Sequence, residues 1–459
     1  MAKWRGQHFL PPTLNDSVIC NCIVANCRLF IVSLQRCGQI RKGHANHMSI
    51  MTREAVGASL ATATGAARFK TTQMIRFTTL ILSAFVACAA LAQGLPTDGP
   101  LTIDPKLQAL GKRLLRGKQG SMVAIEPATG RVLALVSADR VGEDINRAIS
   151  KEYSPGSTFK VAQALAMLSE GTLKPETIYP CDKGFTFGGI HIGCHAHRSP
   201  LDLVGALGYS CNAYFCKAFQ EMIDNKAVYP TKRGAIDRWN AYMRSMGLGE
   251  PLGVDLPGEV AGHVPNAASL SALHRNWNGA TVMWMGMGQG EVTTTPLQLC
   301  NLAAMIANRG FFFTPHIHLS TADSPLDGTR ARSRQCLAKP WAIDYVIQGM
   351  RLAVKHGTAA RIDTPAYKIC GKTGTAENEG ADHSIFMGFA PMNSPRIAVS
   401  VFVENGGFGA DLAAPLAALM IEQYLTGNLS AKSKRRAAKW ENKKVKVTPV
   451  EKAVSFDDL

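Results

Sequence analysis

The sequence predicts an α+β fold built around an antiparallel sheet. One observation is an early hairpin: in "SMVAIEPATGRVLALVS" two apolar, β-branched runs, residues 122–126 and 132–137, flank a Pro-Ala-Thr-Gly turn. Another is a late cluster: "YKICGKTGTAE", "SIFMGFAP" and "RIAVSVFVEN" read as three consecutive strands, and their short connections favour antiparallel pairing. The third is the helical punctuation between these two ends.

Before the fold begins, residues 1–73 have no clean periodicity and four scattered cysteines, Cys20, Cys22, Cys27 and Cys37. They read as a non-native or disordered extension. Residues 74–92 carry an export signature: Arg76 as a short basic region, an apolar run over residues 77–90, and "ALAQ" as a small-x-small cleavage site. The run falls short of the roughly 20 apolar residues of a membrane span. A cleaved signal is the first reading, a membrane anchor the second, and a lipobox-like "FVAC" ending at Cys88 the third. Residues 93–97 are a linker, and residues 98–427 hold the folded domain. Seven cysteines follow the signal, an odd number that cannot all pair within one chain.

Within the domain, "FKVAQALAMLSEG" is a helix with almost no polar face, closed by Gly171. "TTPLQLCNLAAMIANRG" has Thr295 as N-cap, Pro296 at the first helical position, Gln298 completing a capping box and Gly310 as stop. "PLAALMIEQYLTG" is a helix ending at Gly427. Residues 428–459, with "KSKRRAAKWENKKVK", read as a basic, disordered tail on solvent or an anionic surface.

The formal charge of +16 belongs to the ends: residues 1–76 contribute +8 and residues 428–459 contribute +5. The domain between is nearly neutral, so nucleic acid is not among the expected partners. "GMGQGE" at residues 286–291 lacks the preceding strand and third glycine of a dinucleotide fingerprint, and there is no Walker A motif.

The chemistry starts at "YSPGSTFKVAQAL", where Ser157 stands three residues before Lys160. Residues i and i+3 of a helix share a face. A helix N-terminus offers free N–H groups to an oxyanion, and a lysine against apolar neighbours is desolvated towards its neutral form. A neutral amine beside a hydroxyl is a general base beside a nucleophile. Alone, a Ser-x-x-Lys is a weak signal. It is followed by Ser210-x-Asn212 in "GYSCNAYF" and by Lys372-Thr373-Gly374 in "CGKTGTAE", the ordered motif set of serine acyl-transferases that react with penicillin.

On these motifs the chain resembles the transpeptidase domain of class B penicillin-binding proteins, the elongation type in particular. "LTIDPKLQ", "VDLPGE", "GMGQGEVTTTPLQL", "HGTA" and "GFAP" extend the resemblance over residues 98–427. It implies a β-lactamase/transpeptidase-like fold: a five-stranded antiparallel sheet flanked by helices, plus a helical subdomain. It implies Ser157 as acylated nucleophile, Lys160 as its base and Ser210 as proton relay. Asn212 and Lys372 complete the catalytic set, and Thr373, Gly374 and Thr375 bind substrate. The N–H groups of Ser157 and Thr375 form the expected oxyanion hole. The expected reaction is cross-linking of peptidoglycan stem peptides through an acyl-Ser157 ester, with β-lactam antibiotics as covalent mimics. The location is the periplasm, with or without an inner-membrane anchor, and membrane proteins of cell-wall synthesis are the expected protein partners. The resemblance departs in one respect, since the usual pedestal between anchor and catalytic domain is missing. Two alternatives stay open: a D,D-carboxypeptidase or β-lactamase of the same superfamily, and a non-catalytic β-lactam or peptidoglycan sensor.

Catalysis needs no cofactor in this scheme. "CDKGFTFGGIHIGCHAH" nevertheless offers Cys181, Cys194 and His197 as ligands for a structural zinc, with His195 and Cys211 nearby. A Cys181–Cys194 disulfide and plain core cysteines are the alternatives.

Overall fold

Two stretches some 250 residues apart in the chain share one sheet. The computed structural model describes residues 100–446, apart from 141, 144, 275, 321–327, 329 and 379. The extension over residues 1–73, the export segment over 74–92 and the linker over 93–97 lie outside the described residues. Strands β1 (Gly120–Ile125) and β2 (Val132–Ala138) form the early hairpin, and β7 (Cys370–Ala376), β8 (His383–Ala390) and β9 (Ile397–Val403) the late meander. All pair antiparallel in the order β2-β1-β9-β8-β7, with Met122 opposite Val401 where the two ends join. The five-stranded sheet that the motifs implied is therefore present, and β7 is its open edge.

Strand alternation feeds two cores. Val123 and Ile125 of β1 join one apolar cluster, while Met122 and Ala124 join the other. On the second face sits helix α1 (Pro105–Leu114), capped by Asp104, whose Oδ1 accepts from the Leu107 N–H at 2.8 Å. The larger cluster holds the helical subdomain: α2 (Lys160–Glu170), α3 (Leu203–Gly208), α4 (Asn212–Ile223) and α5 (Lys232–Ser245). Trp239 of α5 is buried between the rings of Phe159 and Phe219. Helix α6 (Pro296–Ala307) lies on this face of the sheet and has the capping box its sequence predicted: Gln298 N–H donates to Thr295 Oγ1 and Thr295 N–H to Gln298 Oε1. Helices α7 (Pro340–Lys355) and α8 (Ala413–Thr426) and a short antiparallel pair, β5 (Phe311–Phe313) with β6 (Ser333–Gln335), complete the fold, and Gly427 ends α8 in the left-handed region.

Two local features depart from the sequence reading. Residues 184–193 form a small hairpin, β3 (Gly184–Phe187) and β4 (Ile190–Gly193), turned by Gly188 and Gly189, both at positive φ. The expected disordered tail is corrected over its first half: Ala431–Asn442 is a helix, α9, with Ser433 and Ala437 buried against the body. Its stripe at i and i+4 is made of small residues, so an apolar-periodicity reading passes over it. Arg113 Nε donates to Glu441 at 3.0 Å and Lys118 Nζ to the Trp440 carbonyl at 2.6 Å, which fixes α9 to the end of α1.

Candidate active site

A single turn of 3-10 helix, Gly156–Phe159, carries Ser157 and runs straight into α2. The expected helix start near Ser157 is therefore a tighter turn, with the Lys160 N–H donating back to the Ser157 and Thr158 carbonyls. The turn packs against the edge strand. Gly156 sits at φ +53, and a Cβ there would lie 2.5 Å from the Thr375 carbonyl oxygen. Only glycine allows so close an approach of the nucleophile turn to β7. Ser157 is partly exposed, whereas its neighbour Thr158 is buried and donates to the Pro155 carbonyl at 2.7 Å.

Lys160 is completely buried on the first turn of α2. Its Nζ donates to Asn212 Oδ1 at 2.6 Å and to the Ser210 carbonyl at 2.9 Å, and stands 3.5 Å from Ser210 Oγ. Lys372, also completely buried, approaches from β7 and donates to Ser210 Oγ at 2.7 Å. Two amines thus converge on one hydroxyl. Burial lowers the Lys160 pKa to about 8, while the nearby cysteine thiols, Cys194 first, pull in the opposite direction. Lys372 is pushed well below the ordinary lysine range, by burial first and then by the charge of Lys160.

Ser210 occupies the sharp corner between α3 and α4, at φ +59, a strained conformation for a residue with a side chain. The corner is tied down from below. Cys211 caps α4 by accepting from the Tyr214 N–H, and Asn212 N–H donates to Cys194 Sγ at 3.3 Å. Asn212 Nδ2 donates to the Gly193 carbonyl at 2.8 Å. Thr373 Oγ1 lies 2.6 Å from Thr358 Oγ1, which places the "HGTA" segment beside the Lys-Thr-Gly strand.

The three proposed metal ligands also come together, with a fourth that the sequence reading left aside. Donor atoms of Cys181, Cys194, His197 and Cys211 all lie within 4.8 Å of one another. No described cysteine is in a disulfide. A hydrogen bond from Cys211 holds Cys194 on the thiolate side against its burial, helped by His195 and the Asn212 N–H. Cys211, named in the sequence as nearby but not as a ligand, is the middle residue of Ser210-x-Asn212 and joins the 181–197 segment in three dimensions.

The sequence motifs also gave no sign of the charged network behind the site. Arg147, with no exposed surface, donates to Glu404 at 2.7 Å and to Glu143 at 2.6 Å. Tyr153 Oη donates to the same Glu404 at 2.7 Å, and its ring stacks on Phe402. Tyr153 begins the segment that leads to Ser157, so the network anchors that segment to the end of β9.

A serine on a helical turn packed against a sheet edge, a buried lysine one turn on, and a second lysine on that edge strand define the class of active-site-serine proteins that recognise penicillin. The chain belongs to the penicillin binding protein transpeptidase domain family, whose profile matches residues 120–422. It is 31% identical over 378 residues to the peptidoglycan D,D-transpeptidase MrdA of Acinetobacter baumannii, an alignment covering 70% of this chain and 54% of that protein. The chain thus spans about half the length of the MrdA relatives it matches. To the peptidoglycan D,D-transpeptidase PbpA of Mycobacterium tuberculosis it is 29% identical, over 71% of this chain and 72% of that one. Among solved structures it is similar to Pseudomonas aeruginosa PBP2 in complex with WCK 5153, with a TM-score of 0.64 and 31% identity over 72% of this chain and 77% of that chain. These relatives support an elongation-type class B assignment.

Proposed function

We propose that the chain is a periplasmic peptidoglycan D,D-transpeptidase that works through an acyl-Ser157 ester. The observation that carries this is the convergence of two buried amines on Ser210 Oγ: Lys160, one helical turn after Ser157, and Lys372 from the edge strand. Ser157 Oγ attacks the carbonyl of the penultimate D-alanine while neutral Lys160 takes its proton. The N–H groups of Ser157 and Thr375 hold the oxyanion, each such donor contributing about 2.7–4 kcal/mol. The bond to the terminal D-alanine then breaks, and its amine leaves with a proton relayed through Ser210 beside Lys372. An amine of a neighbouring stem peptide attacks the ester, which forms the cross-link and restores the hydroxyl. A β-lactam enters the first step only. The open edge of β7 suits an extended peptide, whose carboxylate meets Thr373 and Thr375 next to Gly374. Every step uses the chain's own groups.

Product analysis on lipid-linked peptidoglycan polymer tests this reading. Cross-linked dimers are the expected product. Release of D-alanine with trimmed monomers alone would instead make the protein a carboxypeptidase. Membrane proteins of cell-wall synthesis are the proposed protein partners. A 28% identical structural relative comes from a peptidoglycan synthase complex that coordinates polymerisation and crosslinking.

We also propose a structural zinc on Cys181, Cys194, Cys211 and His197. Three sulfurs and an imidazole are a soft, four-donor set of the kind zinc takes, and three clustered thiols cannot be satisfied by one disulfide. Bound there, zinc would supply a fixed tether for the Ser210–Asn212 corner through Cys211 and the Cys194–Asn212 hydrogen bond. We expect purified protein to carry about one zinc per chain, Cys194→Ala to lose it, and chelation to lower the melting temperature. Metal-free protein with a Cys181–Cys194 disulfide would refute the site.

A further inference from the structure

On a different face from the active site, a cavity of about 750 Å³ lies between α8, residues 361–369 and α9. Its walls include Ile362, Pro415, Leu419 and Trp440. Its rim carries Lys432, Arg436 and Lys439. Three acids also line it, each already engaged: Asp411 with Arg361, Asp363 with Arg351, and Glu422 with the Ser430 N–H and Ser433 Oγ. None of Lys432, Arg436 and Lys439 has a carboxylate within 4.0 Å among the described residues. Beyond the rim, the exposed side of α9 and the residues after it add Lys434, Arg435, Lys443, Lys444 and Lys446, so residues 432–446 hold eight lysines and arginines against Glu441 alone. Glu441 is taken by Arg113. The helix is fixed through Ser433, Ala437 and Lys118, so this charge is held in place.

We propose that this face binds an anionic phospholipid, with the phosphate on Lys432, Arg436 and Lys439 and an acyl chain in the cavity, and so docks the domain on a bilayer. Charge alone would serve any polyanion. A cavity of ligand size whose wall has an apolar part, Ile362, Pro415, Leu419 and Trp440, beside the charge selects an amphiphile. Arginine and lysine supply the charge-assisted donors a phosphodiester needs. The export signature over residues 74–92 directs the chain across a membrane, whose anionic amphiphile is phospholipid. The inference is independent of the transpeptidase reading, because none of these residues touches the acylation site.

The test is vesicle flotation of the full-length chain with phosphatidylcholine vesicles, with or without phosphatidylglycerol. The apolar run contributes equally to both, so the ratio reports the basic face. Tighter binding to phosphatidylglycerol, weakened by salt, is expected. The triple variant Lys432→Gln, Arg436→Gln, Lys439→Gln should lose that preference by roughly tenfold or more, while still labelling with penicillin as a check on folding. Phosphatidylglycerol with brominated acyl chains should quench Trp440, the signal identified by its absence in Trp440→Phe, and Ala418→Phe should abolish the quenching. Equal binding to both vesicles overturns the proposal. So does phosphatidylglycerol binding without Trp440 quenching. Competition by glycerol phosphate as strong as by short-chain phosphatidylglycerol, or retention on heparin without vesicle preference, also overturns it.

Discussion

Replacing Ser157 with alanine is expected to abolish covalent labelling by a fluorescent penicillin and to leave the fold unchanged. Ser157 is partly exposed, and among the described residues its hydroxyl bonds no neighbour, so the substitution should alter stability by no more than about 0.5 kcal/mol. The melting temperature should therefore stay near that of the parent while the labelled band disappears. The nearby hydroxyls cannot stand in. Thr158 is buried and committed to the Pro155 carbonyl, and Ser210 Oγ is held by Lys372. Ser210→Ala should behave differently: it removes the atom on which both lysines converge, so acylation slows without the nucleophile being lost. A Ser157→Ala protein that still takes up label at the parent rate would remove the nucleophile assignment, and with it the proposed reaction.

The motif residues were legible because the chemistry requires those side chains at those spacings, and the strands were legible because alternation and turn residues are local. Pairing of β1 with β9 was not, since nothing in residues 120–125 names a partner 280 residues away. It came with the family resemblance. The β3–β4 hairpin had a readable signal in "FTFGGIHIG", a Gly-Gly turn between alternating runs, which attention to the cysteines on either side obscured. Helix α9 had Ser430 as a legible N-cap, but its docking rests on Ser433 and Ala437, too small to register as a core stripe among five basic residues. Arg147 gave no signal at all. Its burial is sustained by Glu404 and Asp139, and only the folded chain brings these acids around it.

The acylation rate should depend on pH through Lys160, and the direction follows from its burial. An exposed lysine near pKa 10.5 would be neutral in only about 0.03% of molecules at pH 7, whereas a pKa of about 8 raises that to about a tenth, a gain of roughly 300-fold in competent base. The rate of acylation by a chromogenic β-lactam should therefore rise about tenfold per pH unit below pH 8 and level off above it. Lys160→Ala should lower the rate by roughly 10²–10⁴, the usual contribution of a general base. Lys160→Arg should do no better, because a guanidinium keeps its proton throughout. Two ammonium groups meeting at Ser210 Oγ repel, and Lys372 is the one that gives way, pushed well below the ordinary lysine range by burial and by the charge of Lys160. It has therefore lost its proton before Lys160 titrates, and Lys372→Met should lower the rate while leaving the limb near pH 8. A rate that is flat between pH 6 and 9, or a limb centred near the ordinary lysine value, would mean that Lys160 stays charged through the reaction and that the proton leaves Ser157 by another route.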